Sequence, residues 1–560
     1  MEVQTTQKSP TGAGAGEVQA DLQTKGTKIN PDFEPLKKAE TLQNINPFSE
    51  QEPETVLKNG EILAQLLEAV EPLDLHKLAF PQYEGLIKQL AEQQAKLVNP
   101  DGSMNADEGL YLERKKYEDL QRDISKLKLN EKHLLILPVE QVLKLAELND
   151  WGLCLNLGFT YIFNGCYWAK VEAETLQKFL GEAAEKMSVA KYSARYFKYR
   201  EAIEKQFICT GYLPSPEAPK NKVLINLKNG TFEVTPEGVQ LRPFNRLDFI
   251  TYQLPFEYNP GVKAPLFEEF LNKVLPDKER QSVLSEFLGY VFVKTAFLKL
   301  EKALLLYGTG ANGKSVVYDI INALFGTDNI TSYSLEDLTD NTGYYRVMIA
   351  DKLLNYASEI SNRCNPAYLK ALISGEDVGG RLPYGKPVNV RDYAKLMFNL
   401  NELPKDVEHT NAFFRRLLIV PFEITIPEKE QDKQLAKKII ESELSGVFNW
   451  VLQGLERLLK NKGFTDCQAI NAAREDYRIN SDSVLVFMEE NQYKPSPEHW
   501  EILKDIYIKY RNFCNEDGFK PVQKKNFIKR LKDSGVMIEK KNIGNVAFVI
   551  AEPPQEEKPF

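Results

Sequence analysis

The sequence predicts an α/β fold organised around one phosphate-binding loop, with a mixed α/β domain ahead of it and a helix, helix and hairpin unit at the C-terminal end. Three observations predict it. An apolar run, Ala303 to Tyr307, leads straight into Gly308-Thr309-Gly310-Ala311-Asn312-Gly313-Lys314-Ser315, which has the spacing G-x-x-x-x-G-K-S. Further short apolar runs follow it, each ending in a polar residue, at Lys352–Glu359 and Ala394–Asn401. The last 80 residues read as a helix, a basic helix and two short strands.

The residue types of the loop follow from what a triphosphate needs. Backbone N–H groups must point at phosphate oxygens, and glycines let the chain curl that closely. A helix opening at Gly313 adds the positive end of its dipole. Gly308 to Ser315 are therefore expected to cradle the phosphates, with Lys314 reaching the β- and γ-phosphates and Ser315 ligating Mg²⁺. An unbroken apolar strand is what burial on both faces requires. Behind the lysine, Val316, Val317, Ile320, Ile321 and Leu324 recur at helical spacing.

Bulk properties narrow the class. A chain of 560 residues holds about three or four domains. With 43% hydrophobic and 27% charged residues it has an ordinary globular composition. No run of 18 apolar residues suggests a membrane span, and the first residues carry no secretory pattern. Six scattered cysteines with no C-x-x-C match neither a disulfide framework nor a zinc site, so a reducing cytoplasmic setting is expected. The net charge of −8 argues against wholesale coating of nucleic acid. Lys520 to Lys541 nevertheless carries eight basic and two acidic residues, which suits either a solvated helix face or a nucleic-acid contact.

Along the chain, residues 1–58 have a linker-like composition and are expected to be a disordered tail. Residues 59–150 read as amphipathic helices of unassigned role, and 151–300 as a mixed α/β domain. In the latter, Tyr161–Trp168 and Val223–Val234 are hairpin patterns with Asn-Gly turns. Tyr192 to Lys205 reads as one helix that interleaves Arg195, Lys198, Arg200 and Lys205 with Tyr192, Tyr196, Phe197 and Tyr199. That interleaving suits single-stranded nucleic acid, and it also suits an ordinary half-buried helix, the preferred explanation when taken alone. The phosphate-loop core is placed at 301–425, a helical lid at 426–480 and the C-terminal unit at 481–560. There, Leu503, Ile506, Tyr507, Tyr510 and Phe513 place a helix at about 498–515. A basic helix, Lys524 to Lys532, and strands at Val536–Lys540 and Ala547–Ile550 follow, which is the order of a winged helix. Lys524, Lys525, Lys529 and Arg530 are its candidate DNA contacts.

Hydrolysis needs an acid near the loop. Glu359, at the end of its strand, is the candidate for holding Mg²⁺ and orienting the attacking water. Asn401, at the end of the next strand, can bridge the γ-phosphate and that water. Arg415 and Arg416 precede another apolar run, where either can serve a neighbouring subunit as an arginine finger. Between these strands, Gly379 to Pro387 reads as a projecting hairpin in which Arg381, Tyr384 and Lys386 can grip a strand's phosphates and bases.

Taken as a series, these motifs resemble the superfamily 3 helicases, in the phage, plasmid and poxvirus primase-helicase branch. The matching residues are Gly308 to Ser315, Ser358-Glu359, Ser374-Gly375-Glu376-Asp377 with Arg381, Tyr384 and Lys386, then Asn401-Glu402-Leu403-Pro404 and Arg415-Arg416. The resemblance implies an AAA+-type core and a homo-hexameric ring. It implies ATP and Mg²⁺ as cofactors, with translocation on single-stranded or forked DNA and replication proteins of the same element as partners. Many relatives carry two adjacent acids where Ser358-Glu359 stands here. No Asp-x-Asp occurs in the chain, so no primase activity is expected. An origin-binding initiator without processive unwinding is the alternative. A packaging motor is disfavoured by the lack of a clustered-acid nuclease, and a GTPase by the lack of N-K-x-D after the loop.

Overall fold

The computed structural model describes residues 59–99, 103, 105, 107–149, 152–211, 221–235, 238–358, 365–383, 385–403 and 410–551. The expected tail at 1–58, Glu359 and Tyr384 lie outside the described residues.

Five strands form the central sheet: β1 (Ala303–Tyr307), β2 (Ile330–Thr331), β3 (Leu354–Ala357), β4 (Lys395–Leu400) and β5 (Leu417–Pro421). They stand in the order β5-β1-β4-β3-β2, and every neighbouring pair is parallel. All five carboxyl ends therefore meet one edge. The period of two sorts the side chains into layers. Leu304, Leu306, Tyr356, Met397, Leu418 and Val420 enter one core with the helices Lys314–Phe325 and Leu435–Asn461. Ala303, Leu305, Ala357, Phe398, Leu417 and Ile419 enter the opposite core with the helix Pro366–Ser374. Both faces are covered, which is why the strands read as unbroken apolar runs.

The hydrophobic cores divide the chain differently from the composition shifts. Ile62 and Leu66 of the helix Asn59–Ala69 share a core with Ile162, Leu180 and Phe207, so position 150 is not a core boundary. The antiparallel strands Val223–Leu227, Gly230–Thr235 and Gly238–Arg242 instead supply Ile225, Leu227 and Phe232 to the core of the central sheet. A buried carboxylate binds this body together. Glu286, on the helix Lys278–Tyr290, accepts from Arg457 Nε at 2.6 Å and from the Thr465 N–H at 2.7 Å. Replacing it with alanine leaves the guanidinium without its anion. Glu286→Ala is expected to cost about 3 kcal/mol, read as a lowered thermal midpoint.

Three local expectations are corrected. Tyr192–Lys205 is two helices, Lys191–Ala194 and Phe197–Thr210. The Tyr196 N–H closes the first by donating to Ser193 O at 3.1 Å, and Tyr196 itself is extended. The helix expected from 498 begins at Leu503, because Glu501 and Ile502 pair with Ala547 and Val546 as a short strand. The last hairpin turns tightly at Asn542-Ile543, joining Ile538–Lys541 to Gly544–Ala547, while Val549–Ala551 crosses to pair with Tyr493–Pro495. The unit keeps its own core, with Phe487, Tyr510, Phe527 and Leu531 at the centre.

Candidate functional site

The loop Gly308–Ser315, the candidate phosphate-binding loop, leaves β1 between its two neighbours. Tyr307 lies opposite Leu400 and Pro421. The Gly308 N–H donates to Leu400 O at 3.1 Å, and the Phe422 N–H donates to Tyr307 O at 2.7 Å. A side chain at Gly308 would collide with Asn312 Nδ2 and Phe422 O, and Gly313 holds a φ of 83°. Only glycine meets both demands without strain. The buried Asn312 side chain pins the loop by donating to Phe422 O at 3.1 Å, and Ala311 O accepts from the Ile426 N–H at 2.8 Å.

The residues present fit a phosphate group. Gly313 begins the helix Lys314–Phe325 with no side-chain cap, so the first-turn N–H groups lack intrahelical acceptors. The Lys314 ammonium is buried at this end, donating to Gly308 O at 2.6 Å and Asn312 Oδ1 at 3.0 Å. Burial pulls its pKa below the ordinary lysine value. A nearby anion would reverse that penalty. Ser315 is exposed beside it.

Asn401 follows β4 directly and is exposed at the same sheet edge as Gly308. Ser358 follows β3 at that edge, and Glu359 lies outside the described residues. The two arginines stand elsewhere. Leu417, the first residue of β5, pairs with Ala303, the first residue of β1. The arginines thus sit at the amino edge, about 20 Å along the strands from the loop. Arg416 is only 10% exposed, donates to Ser374 Oγ at 2.9 Å and to Ala412 O, and pairs with Glu301 at 3.1 Å. Arg415 is 66% exposed and touches Glu301 at 3.4 Å. Of the two expected fingers, Arg416 is spent inside its own subunit and Arg415 is presented outward. Beside them, burial together with the Arg474, Arg415 and Arg416 guanidiniums pushes the Lys302 ammonium down to about 8.

The expected hairpin is present. Val378–Arg381 pairs antiparallel with Pro387–Val390. Arg381 and Lys386 are exposed near its tip. Arg346, buried, fixes the base by donating to Gly379 O at 2.8 Å and Leu338 O at 3.0 Å. In the C-terminal unit Lys524, Lys525 and Lys529 are exposed on the helix Lys524–Asp533. Arg530 is corrected: it turns inward to pair with Asp482 at 2.9 Å.

The chain is similar to viral proteins named as helicases. It is 24% identical over 338 residues to "Putative helicase 121R" of Invertebrate iridescent virus 3, covering 52% of this chain and 35% of that protein. It is 26% identical over 232 residues to "Putative helicase L207/L206" of Acanthamoeba polyphaga mimivirus, covering 39% of this chain and 24% of that protein. The chain thus spans about a third of the length of the first of these relatives and about a quarter of the second. Residues 145–276 match the family model "D5 N terminal like", and residues 306–416 match a family of unknown function, DUF5906. Together these matches show similarity to D5-type sequences and to viral proteins named as helicases. A solved apo structure of the NrS-1 C-terminal region aligns at 13% identity over 73% of this chain and 98% of that one, with a TM-score of 0.40.

Two positions went unread in the sequence. Arg346 is an isolated basic residue with no motif around it. Asn399 sits inside β4, where its Oδ1 accepts from Tyr356 OH at 2.8 Å. Tyr318, on the phosphate-loop helix, lies against Tyr356 with ring centroids 4.7 Å apart. This chain of contacts couples the helix to β3 and β4 just below the edge that carries Ser358 and Asn401. A polar residue interrupting an apolar strand was the available signal for Asn399.

Proposed function

We propose that the protein is an ATP-dependent superfamily 3 DNA helicase with an AAA+-type core, acting as a ring, commonly a hexamer, on single-stranded or forked DNA in the replication of a virus, plasmid or mobile element. One observation carries this: the phosphate loop and Asn401 share one edge of a parallel sheet, while the exposed Arg415 stands at the other. Ligands of open parallel sheets bind outside the carboxyl ends of the strands, so Arg415 stands across the sheet from the nucleotide place of its own subunit. Facing outward, it can instead serve a neighbouring copy.

In this scheme the loop amides and Lys314 bind and orient the triphosphate. Ser315 and Glu359 would hold Mg²⁺, which supplies charge neutralisation at the phosphates. Glu359 orients the attacking water and accepts its proton, and Asn401 positions the γ-phosphate relative to that water. Arg415 faces a neighbour's nucleotide. Lys386, with Arg381 and Tyr384, grips DNA. Residues 483–551 act as a winged-helix DNA-binding unit. Their order of helix, two short strands, two helices and three further strands supports this, as do four exposed lysines, Lys524, Lys525, Lys529 and Lys532, on the third helix.

Strand displacement tests the function. The protein with ATP and Mg²⁺ is expected to unwind a forked duplex, and Lys314→Ala is expected to remove the activity. Binding of duplex sites with no displacement would favour the initiator instead.

A further inference from the structure

Residues 188–200, Ser-Val-Ala-Lys-Tyr-Ser-Ala-Arg-Tyr-Phe-Lys-Tyr-Arg, hold four basic and four aromatic side chains and no acid, in a chain of net charge −8. A half-buried helix would turn its aromatics inward. Here only Tyr199 is so used, its OH donating to Leu134 O at 2.7 Å, while Ala194 and Ile203 pack into the core beside it. Tyr192 is 88% exposed, Phe197 58% and Tyr196 50%. Tyr196 and Phe197 stand edge to face with centroids 4.9 Å apart, so their π-faces point in different directions from one corner. Lys191 and Lys198 are exposed among them. Arg195 is held by Glu185 at 2.7 Å, and Arg200 donates to Ala194 O, so these two shape the corner rather than extend from it. Glu201 follows one helical turn after Phe197 and is the acid that borders the patch along the chain.

We propose that this corner is a second binding site for single-stranded nucleic acid, separate from the hairpin at 378–390. A cluster of exposed aromatic faces rimmed by polar and charged residues marks an interaction site. Bases stack on such faces whatever their sequence, while interspersed lysines meet the phosphates between them. The corner is anchored by Ala194, packed into the core beneath it, and by the Glu185–Arg195 pair. Tyr192, Tyr196 and Phe197 act as the stacking platforms and Lys191 and Lys198 as the phosphate contacts. The site lies within the segment 145–276 that precedes the motor. It would hold a strand outside the nucleotide-driven part of the molecule.

The choice of ligand rests on the proposed DNA motor, but the test does not require ATP hydrolysis. Full-length protein is mixed, without nucleotide, with an oligothymidylate of about 20 nucleotides carrying 5-iodouracil. Irradiation is expected to cross-link Tyr192, Tyr196 or Phe197, identified by mass spectrometry of the peptides. In a Lys386→Ala background, Tyr192→Ala with Phe197→Ala is expected to weaken binding about tenfold or more, whereas Tyr192→Phe with Tyr196→Phe keeps it. Lys191→Ala with Lys198→Ala is expected to flatten the salt dependence of binding. Cross-links confined to other segments, with equal affinity in the alanine variant, would overturn the site. So would an alanine variant that changes self-association but not oligonucleotide affinity, which would make the corner a protein interface. If wild-type protein binds and cross-links here yet hydrolyses no ATP, the motor fails and this site stands.

Discussion

Lys314→Ala is expected to abolish DNA-stimulated ATP hydrolysis, lowering turnover by at least about a hundredfold, with little change in thermal midpoint. Among the described residues the ammonium donates to loop oxygens of Gly308 and Asn312, and burial disfavours its charged form there. Removing it relieves that penalty in the free protein and withdraws the cation from the bound phosphates. Glu359→Gln is expected to spare nucleotide binding and remove hydrolysis, since an amide cannot take the proton of the attacking water. Nucleotide binding by fluorescence and phosphate release by a coupled assay separate the two. Undiminished turnover in either variant would sink the assignment.

Arg415→Ala and Arg416→Ala are expected to fail in different ways. Arg415 is exposed and makes one 3.4 Å contact with Glu301. Its loss is expected to leave stability unchanged and lower hydrolysis by about a thousandfold, because developing charge on a neighbour's γ-phosphate goes unmet. Arg416 is buried against Ser374, Ala412 and Glu301. Its loss leaves Glu301 without its closer cation and is expected to cost about 3 kcal/mol of stability. Thermal unfolding beside steady-state turnover distinguishes them. A stable, inactive Arg416→Ala and an active Arg415→Ala would reverse the roles.

Much of this architecture was legible because its signals are local. The strand Ala303–Tyr307, the loop and the helix behind it follow from a continuous apolar run and a short motif, and they stand where the sequence puts them. The hairpin expected at Gly379 to Pro387 is present as well, on strands Val378–Arg381 and Pro387–Val390. What was not legible is phase and order. β5 is buried on both faces, so Leu417 to Val420 give no alternation from which to tell whether Arg415 or Arg416 turns inward. That the arginines lie at the far edge from the loop depends on β5 pairing in parallel with β1, a long-range fact that no local pattern carries. Position 150 looked like a boundary because composition shifts there, yet the helices on both sides fill one core. Arg530 was misread although its signal was present. It lies three residues after Phe527 and one before Leu531, on the inward flank of a short helix, and its guanidinium meets Asp482 there.

The central claim is a nucleotide site divided between two copies of the chain. Mixing Lys314→Ala protein, which keeps its finger, with Arg415→Ala protein, which keeps its loop, tests it most directly. In a random equal mixture about a quarter of head-to-tail interfaces join an intact loop to an intact arginine. ATP hydrolysis absent from either variant alone is therefore expected to reappear in the mixture, rising and falling with the proportion of the two. No hydrolysis in assemblies shown by native mass spectrometry to contain both variants would contradict a shared site.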